Sequence, residues 1–486
     1  MTDESVGTAV NPAKPRLATS SAQLTPQEAG FAHEAALRRG VGSHVTLKKL
    51  PLIDKNMIVP FCLLATCFAV WGLAQDLTAP LVTAFKGIFT MSTFEASLVQ
   101  FAYFGAYFAL ALPTAFLNQR FGYKVGVLTG LGLAAIGAFG FYPAAQSLTF
   151  GFFLIALFIM AAGLSVLETS ANPFAIAMGP EGTATRRLNL AQSFNPVGTI
   201  SGVALAAVLV LPNMNPATPE ERAAMPHDAL VTIQTDELNA IMVPYLGLAV
   251  LLVVIWIGIA VVKVPRSHEE VASDSHHLHF TATVRRLHHN HHWRYGVLAQ
   301  FFNVGAQVCT WTYIVLYVSE VVPGGTAEQG AYFLLISLII FLVARFVMTW
   351  LMGYIRATKL LAIMASIAIL LCLYAAFVPG LSGAWALVGV SACLSLMFPT
   401  IYGVALHGLG DDTKFAAAGL VMAIVGGALM PPVQGLMTDR FGAAPAFVVA
   451  AVGYLGVLVY AIYDLKSKSR YADSPEEEPK ISMSGH

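Results

Sequence analysis

Charge is what this chain has least of. Only 11% of its 486 residues are Asp, Glu, Lys or Arg, less than half the roughly 25% of a soluble globular protein. The charge present balances, with 27 basic and 27 acidic side chains. No basic stripe exists to track phosphates, which excludes nucleic acid as a partner. Cysteine is scarce as well. Cys62, Cys67, Cys309, Cys372 and Cys393 all fall in apolar stretches without metal-ligand spacing, so they read as small core residues, with no metal site and no disulfide framework. No GxxxxGK[ST] phosphate loop occurs, and the chain does not hydrolyse nucleotide itself. The N-terminal stretch lacks the charged–apolar–small pattern of a cleavable leader, which leaves the first membrane helix as its own address.

Apolar residues are abundant, at 57%. A membrane helix needs about 20 mainly apolar residues, and twelve such runs are present. They lie near 56–84, 94–119, 123–145, 149–178, 187–212, 239–264, 295–322, 328–354, 358–379, 382–407, 413–437 and 443–465. The expected layout is an all-α membrane protein of twelve transmembrane helices in two six-helix halves, 56–264 and 295–465. A disordered cytoplasmic tail is expected over 1–55, a His-rich cytoplasmic linker over 265–294 and a cytoplasmic tail over 466–486. Lys and Arg crowd one side of this topology. Outside it lie Lys86, Arg222 and Arg440, and Arg345 is intramembrane. That bias puts both termini in the cytoplasm. Such a layout suits a carrier whose halves rock around a midplane site.

Two acids interrupt the apolar runs: Asp76 in FAVWGLAQDLTAPL and Glu168 in LSVLETSANPF. A charge there costs about 2.5–3.5 kcal/mol on insertion scales, and such groups are functional by default. Burial disfavours the charged form, so a carboxyl at this depth can hold a proton and release it when water or a partner arrives. Asn172 is one turn beyond Glu168, and Pro173 removes a backbone donor. The fifth run, RRLNLAQSFNPVGTISG, carries Asn189, Gln192, Asn195 and Thr199 at helical spacing, and the seventh repeats the device with Gln300, Asn303, Gln307 and Trp311. Amides donate and accept, which suits hydroxyl-rich ligands, although they also bond helix to helix in membranes. Trp71 and Trp311 supply flat apolar faces, and Gln75 neighbours Asp76. Arg345 reads as structural or gating, as does Arg120 in the basic turn NQRFGYK.

Other signals carry less. His276, His277, His279, His288, His289, His291 and His292 cluster in the linker and can bind metal adventitiously. HGLGDD holds a GxGD pattern and Tyr463-Asp464 a YD pair, but their order is the reverse of that in intramembrane aspartyl proteases.

The segments LETSANPF, RRLNLAQSFNPVG, HHWRYGVLAQFFNVGAQVCTW, ARFVMTWL and GDDTKFAAAGLVM resemble the fucose permease group of the major facilitator superfamily, from about Pro60 to Tyr463. The resemblance implies the major facilitator fold. It implies import of L-fucose or a related monosaccharide with a proton through a bacterial inner membrane, without enzymatic chemistry or a cofactor. By the same resemblance Glu168 couples the proton, and Gln192 and Asn195 line the sugar cavity. Two positions depart from the group. The family's first-helix aspartate aligns with Ala79, and Asp76 lies just under one turn earlier. Phe398 stands where relatives carry tyrosine, with Tyr402 one turn on. Asp76 is therefore expected to take over the missing carboxylate's role. The substrate contacts expected are Trp71, Gln75, Asp76, Asn172, Gln192, Asn195, Asn303, Gln307 and Trp311. A sodium-coupled glucose/galactose-type symporter, an uncoupled facilitator and a sugar sensor are the alternatives. The expected assembly is a monomer surrounded by lipid.

Overall fold

The computed structural model describes residues 45–78, 85, 88–89, 93–215, 217, 221–222, 224–263, 280–467 and 477–481. Among them eleven helices are long and apolar enough to cross a membrane, and Thr93–Phe121 completes the expected twelve. With no water in hydrocarbon, each segment must satisfy its own backbone polar groups, and a helix does so. The N-terminal half comprises Ile58–Thr78, Thr93–Phe121, Tyr123–Ser147, Phe150–Ala177, a fifth span in two pieces (Ala184–Gln192 and Asn195–Leu205), and His227–Val261. The C-terminal half begins with His291–Val321, Ala327–Leu351 and Ala357–Phe377. A tenth span follows as Leu381–Leu394 and Met397–Leu406, then an eleventh as Thr413–Met422 and Gly426–Phe441, and finally Val448–Lys466.

Small residues let these helices approach closely, as is usual where lipid removes any hydrophobic drive between them. The first and fifth spans meet at Gly198, where an added Cβ would collide with the Ala69 carbonyl. The third and fourth meet at Gly163, against the backbone of Ala134. These contacts fix the two helices that carry Asp76 and Glu168.

The breaks in the spans have local causes. The fifth parts at Ser193–Phe194 just before Pro196, and the tenth at Ser395–Leu396 before Pro399. Proline supplies no backbone donor to the preceding turn. The eleventh passes through a tighter turn at Ala423–Val425. Interrupted helices at mid-depth are where carriers of this architecture place their sites.

Three expectations change. The sixth helix starts at His227, not near 239, because Asp228 in its first turn favours the helix N-terminus and Glu237 is held by Arg222. Asp228, Asp236 and Glu237 are therefore helical, outside any loop. The linker contains an amphipathic helix, Phe280–His289, tied to the start of the eleventh span by Arg286 and Asp412 at 2.6 Å. The expected N-terminal tail is ordered near its end. Leu52 O accepts from Arg187 at 3.0 Å, Pro51 O from the Thr183 hydroxyl at 3.1 Å, and Met178 O from Asp54 N at 3.1 Å. Arg187 is fully buried and also donates to Ala175, Ile176 and Gly179 carbonyls, which caps the C-terminal end of the fourth span. Residues 1–44, and with them most of the expected tail, lie outside the described residues, as do Ala79, His276, His277 and His279. Separately, Val45–Lys49 pairs antiparallel with Glu477–Ile481 as a unit of its own.

The two six-helix halves meet over the parts of their helices nearest the linker. The second span packs on the eleventh, and the first piece of the fifth on the second piece of the tenth and on the eighth. Phe116 of the second span meets Phe280 at a tilt and Phe415 edge-on, at centroid distances of 5.1 and 5.0 Å.

Candidate functional site

Glu168 sits at the heart of the N-terminal half. It is 1% exposed, and neither carboxyl oxygen meets a hydrogen-bond donor among the described residues. Its polar neighbour is Asn172, one turn on, close enough to act on the carboxyl though short of hydrogen-bonding geometry. The Asn172 amide oxygen accepts from Gln192 Nε2 at 2.7 Å, while its Nδ2 finds no acceptor among the described residues. The fourth and fifth spans are thus joined at the point where the fifth breaks.

Asp76 is half-buried on the first span and interacts with the Thr199 hydroxyl of the fifth. Two tyrosines of the second span lie near the acids. Trp71 Nε1 donates to Tyr107 Oη at 2.6 Å, and Tyr103 donates to the same oxygen at 3.3 Å. Tyr103 lies within electrostatic range of both Glu168 and Asp76. Both acids therefore face the interior of the bundle. Asn195 reaches Phe68 O at 3.4 Å and is otherwise half-buried. Gln75 is exposed.

The C-terminal half contributes Trp311, whose indole donates to Ser391 Oγ at 3.1 Å and meets Phe341 edge-on at 5.0 Å. Asn303 is fully buried with both amide atoms unpartnered among the described residues, as is Gln300, while Gln307 is half-buried. Buried polar groups are ordinarily hydrogen-bonded, so unmatched amides and an unmatched carboxyl mark places built to meet something else. Tyr402 of the tenth span lies within electrostatic range of Glu168, with its hydroxyl directed to Ala417 O at 3.5 Å.

Arg345 closes the arrangement from the linker side. It is 4% exposed, lies 4.6 Å above the Phe341 ring, and donates to Ser395 O and, across the halves, to Gln192 O at 3.1 Å. Among the described residues its partners are carbonyls at the two helix breaks, not a carboxylate. Arg186 N–H to Thr349 O at 3.2 Å and Asn189 to Thr400 at 3.3 Å cross the same seam. Arg120, by contrast, is exposed over the ring of its neighbour Phe121, with no contact across the halves among the described residues.

Sequence reasoning passed over Tyr103 and Tyr107, although their spacing of four in QFAYFGAYFALAL places them on one helix face. It also passed over Ser391 and Phe341, which carry no signal beyond their residue type. The linker-end ionic contacts escaped it too. Asp464 is fully buried against His292 at 2.8 Å and Arg356 at 3.0 Å, and His407 lies 3.6 Å from Glu181. Burial holds the His407 imidazole below its ordinary proton affinity, with Glu181 partly opposing it. At the far end the hydrogen bonds that Arg222 donates to the Glu237 carboxylate raise its guanidinium above its ordinary value. Among the described residues no group of three metal-ligating side chains occurs.

The family profile of the Major Facilitator Superfamily matches residues 64–426. An L-fucose-proton symporter of Haemophilus influenzae is 43% identical over 394 residues, covering 80% of this chain and 91% of that protein. An L-fucose-proton symporter of Escherichia coli is 37% identical over 417 residues, covering 84% and 93%. The crystal structure of a major facilitator superfamily transporter, FucP, in the outward conformation superimposes with a TM-score of 0.78 at 36% identity, covering 84% of this chain and 99% of that one.

Proposed function

Because the chain belongs to the major facilitator superfamily, we propose that it imports L-fucose or a related monosaccharide by proton symport through alternating access. The observation that carries this reading is the buried, unpartnered Glu168 carboxyl at the junction of two interrupted spans, in a chain whose relatives are L-fucose-proton symporters.

The chain is a multi-pass membrane protein, and the proposal places it in a bacterial inner membrane as a monomer with both termini cytoplasmic. The seam that joins the halves near the linker then faces the cytoplasm. Trp71, Gln75, Asp76, Asn195, Gln307 and Trp311 retain exposed surface and are the first to meet a sugar. Asn172, Gln192 and Asn303 lie deeper. Amides bind hydroxyls in either direction, and the indoles offer apolar faces to a ring.

Protonation neutralises Glu168 and removes the cost of a charge as the halves rock. Asp76, sharing the Tyr103 environment, assists and takes the place of the acid absent at Ala79. One proton crossing about 100 mV supplies roughly 2.3 kcal/mol, enough for about fifty-fold accumulation at 1.4 kcal/mol per decade. Proton is the coupling ion, and no cofactor takes part.

The test is uptake of a panel of labelled monosaccharides into proteoliposomes, with and without an inward pH step and with choline in place of sodium. Acid-driven, sodium-independent accumulation of L-fucose or a close relative is expected. Accumulation that follows sodium, or none above equilibrium, would contradict the proposal.

A further inference from the structure

A cavity of about 280 Å³ opens at the linker end between the halves. Its lining includes the exposed Glu181 and Asp411 and the buried Pro173, Gly403 and Lys414. Pro173 follows Asn172 and Gly403 follows Tyr402, and both of these polar side chains act on each other and on Glu168. Glu168 is five residues from Pro173, about 7.5 Å along a helix. The lining therefore comes within roughly a turn and a half of the buried acid along the fourth span. This volume has room for several waters, each occupying about 30 Å³ in the liquid.

Its outer rim carries a titratable pair. His407, which ends the tenth span, and Glu181, in the turn between the fourth and fifth, stand 3.6 Å apart across the halves. Glu181 Oε1 also accepts from Gly408 N at 3.1 Å. The other ionisable groups acting on His407 are His292 of the seventh span and Asp464 of the twelfth, the latter bonded also to Arg356.

We propose that this cavity is the route by which the proton on Glu168 leaves toward the linker side, with the Glu181–His407 pair as its outlet. The inference rests on the proton-symport reading above. The Glu168 O–H bond breaks and leaves a carboxylate. The proton passes to water held near Asn172 and Tyr402, then forms an N–H bond on the His407 imidazole. The imidazolium releases it to bulk water and returns to neutral, so no electrons are gained or lost. The lowered proton affinity of His407 suits a group that hands a proton on. Glu181 offsets the transient positive charge.

The experiment uses the full chain in proteoliposomes carrying an internal pH dye, with L-fucose as the probe. Net sugar-driven proton flux and sugar exchange at equal concentrations are measured for the wild type, His407→Gln and Glu181→Gln. Exchange requires alternating access without net proton release. With His407→Gln, proton flux should fall about tenfold, less than the roughly 100-fold of a typical positioned acid–base group, because water offers a parallel path. Exchange should be unchanged. Glu181, at 64% side-chain exposure, tolerates replacement, so Glu181→Gln carries the test if His407→Gln does not fold. It should give a smaller fall in flux, again with exchange intact. Unchanged flux in the folded variants overturns the proposal. So does a parallel loss of flux and exchange, which marks the pair as a conformational latch. No proton flux in the wild type would overturn the symport reading itself, which is a distinguishable result.

Discussion

Arg345 illustrates what a single residue can be asked to do in this fold. One guanidinium ties Gln192 O, where the fifth span breaks, to Ser395 O, where the tenth breaks. A lysine has one compact donor head and cannot span both carbonyls in a planar fork. Arg345→Lys should therefore weaken the linker-closed state by roughly 1.5–3 kcal/mol, the worth of one hydrogen bond to a charged group. Labelling of a cysteine placed at Ala184, within the linker-end cavity, should rise about tenfold or more; unchanged labelling would remove Arg345 from the gate. At the far end Arg222 and Glu237 form a buried two-pronged pair at 2.9 and 2.6 Å. Glu237→Gln leaves the guanidinium without its counter-charge. It should cost about 3–5 kcal/mol, read as a lower melting temperature with sugar exchange retained once folded. His407 adds a pH dependence. Its burial means the folded protein binds fewer protons there than the unfolded chain, so stability rises with pH. The contribution is complete above the ordinary histidine value of 6.5 and is lost as pH falls below it. A melting-temperature profile from pH 8 to pH 5 should flatten in His407→Gln.

Between elements, contact depends on glycine more than on size. Gly198→Val would drive two methyl groups into the Ala69 carbonyl and pry the first span from the fifth. Overpacking of this kind costs about 1–3 kcal/mol. It should displace Asp76 from Thr199, so a fall in melting temperature should accompany weaker sugar binding; a fall in stability alone would show that the contact does not position the site. The spans themselves were legible because apolar runs of helical length leave few alternatives, and Glu168, Asp76 and the amide stripes were legible because polar groups stand out against them. The breaks at Ser193–Phe194 and Ser395–Leu396 were less so. Pro196 and Pro399 hint at them, but proline is tolerated within other spans here, at Pro113, Pro143 and Pro244. The long sixth helix was hidden by its polar first turns, which hydropathy reads as loop. Cross-span pairs such as Trp71–Tyr107 and His407–Glu181 depend on rotations and packing that no local pattern encodes.

Across the whole molecule the halves are joined near the linker, and the acids lie just beyond that seam. This arrangement separates two jobs. The Arg345 contacts and the aromatic cluster at Phe116 join the halves, and on the proposed mechanism the carboxyl at Glu168 sets when they part. If proton occupancy of Glu168 drives the cycle, coupling and movement should come apart when that carboxyl is made permanently neutral. The decisive measurement compares sugar exchange with acid-driven accumulation in Glu168→Gln proteoliposomes. The account predicts exchange close to wild type and no accumulation under a pH gradient. Equal loss of both, or accumulation that persists, would contradict it.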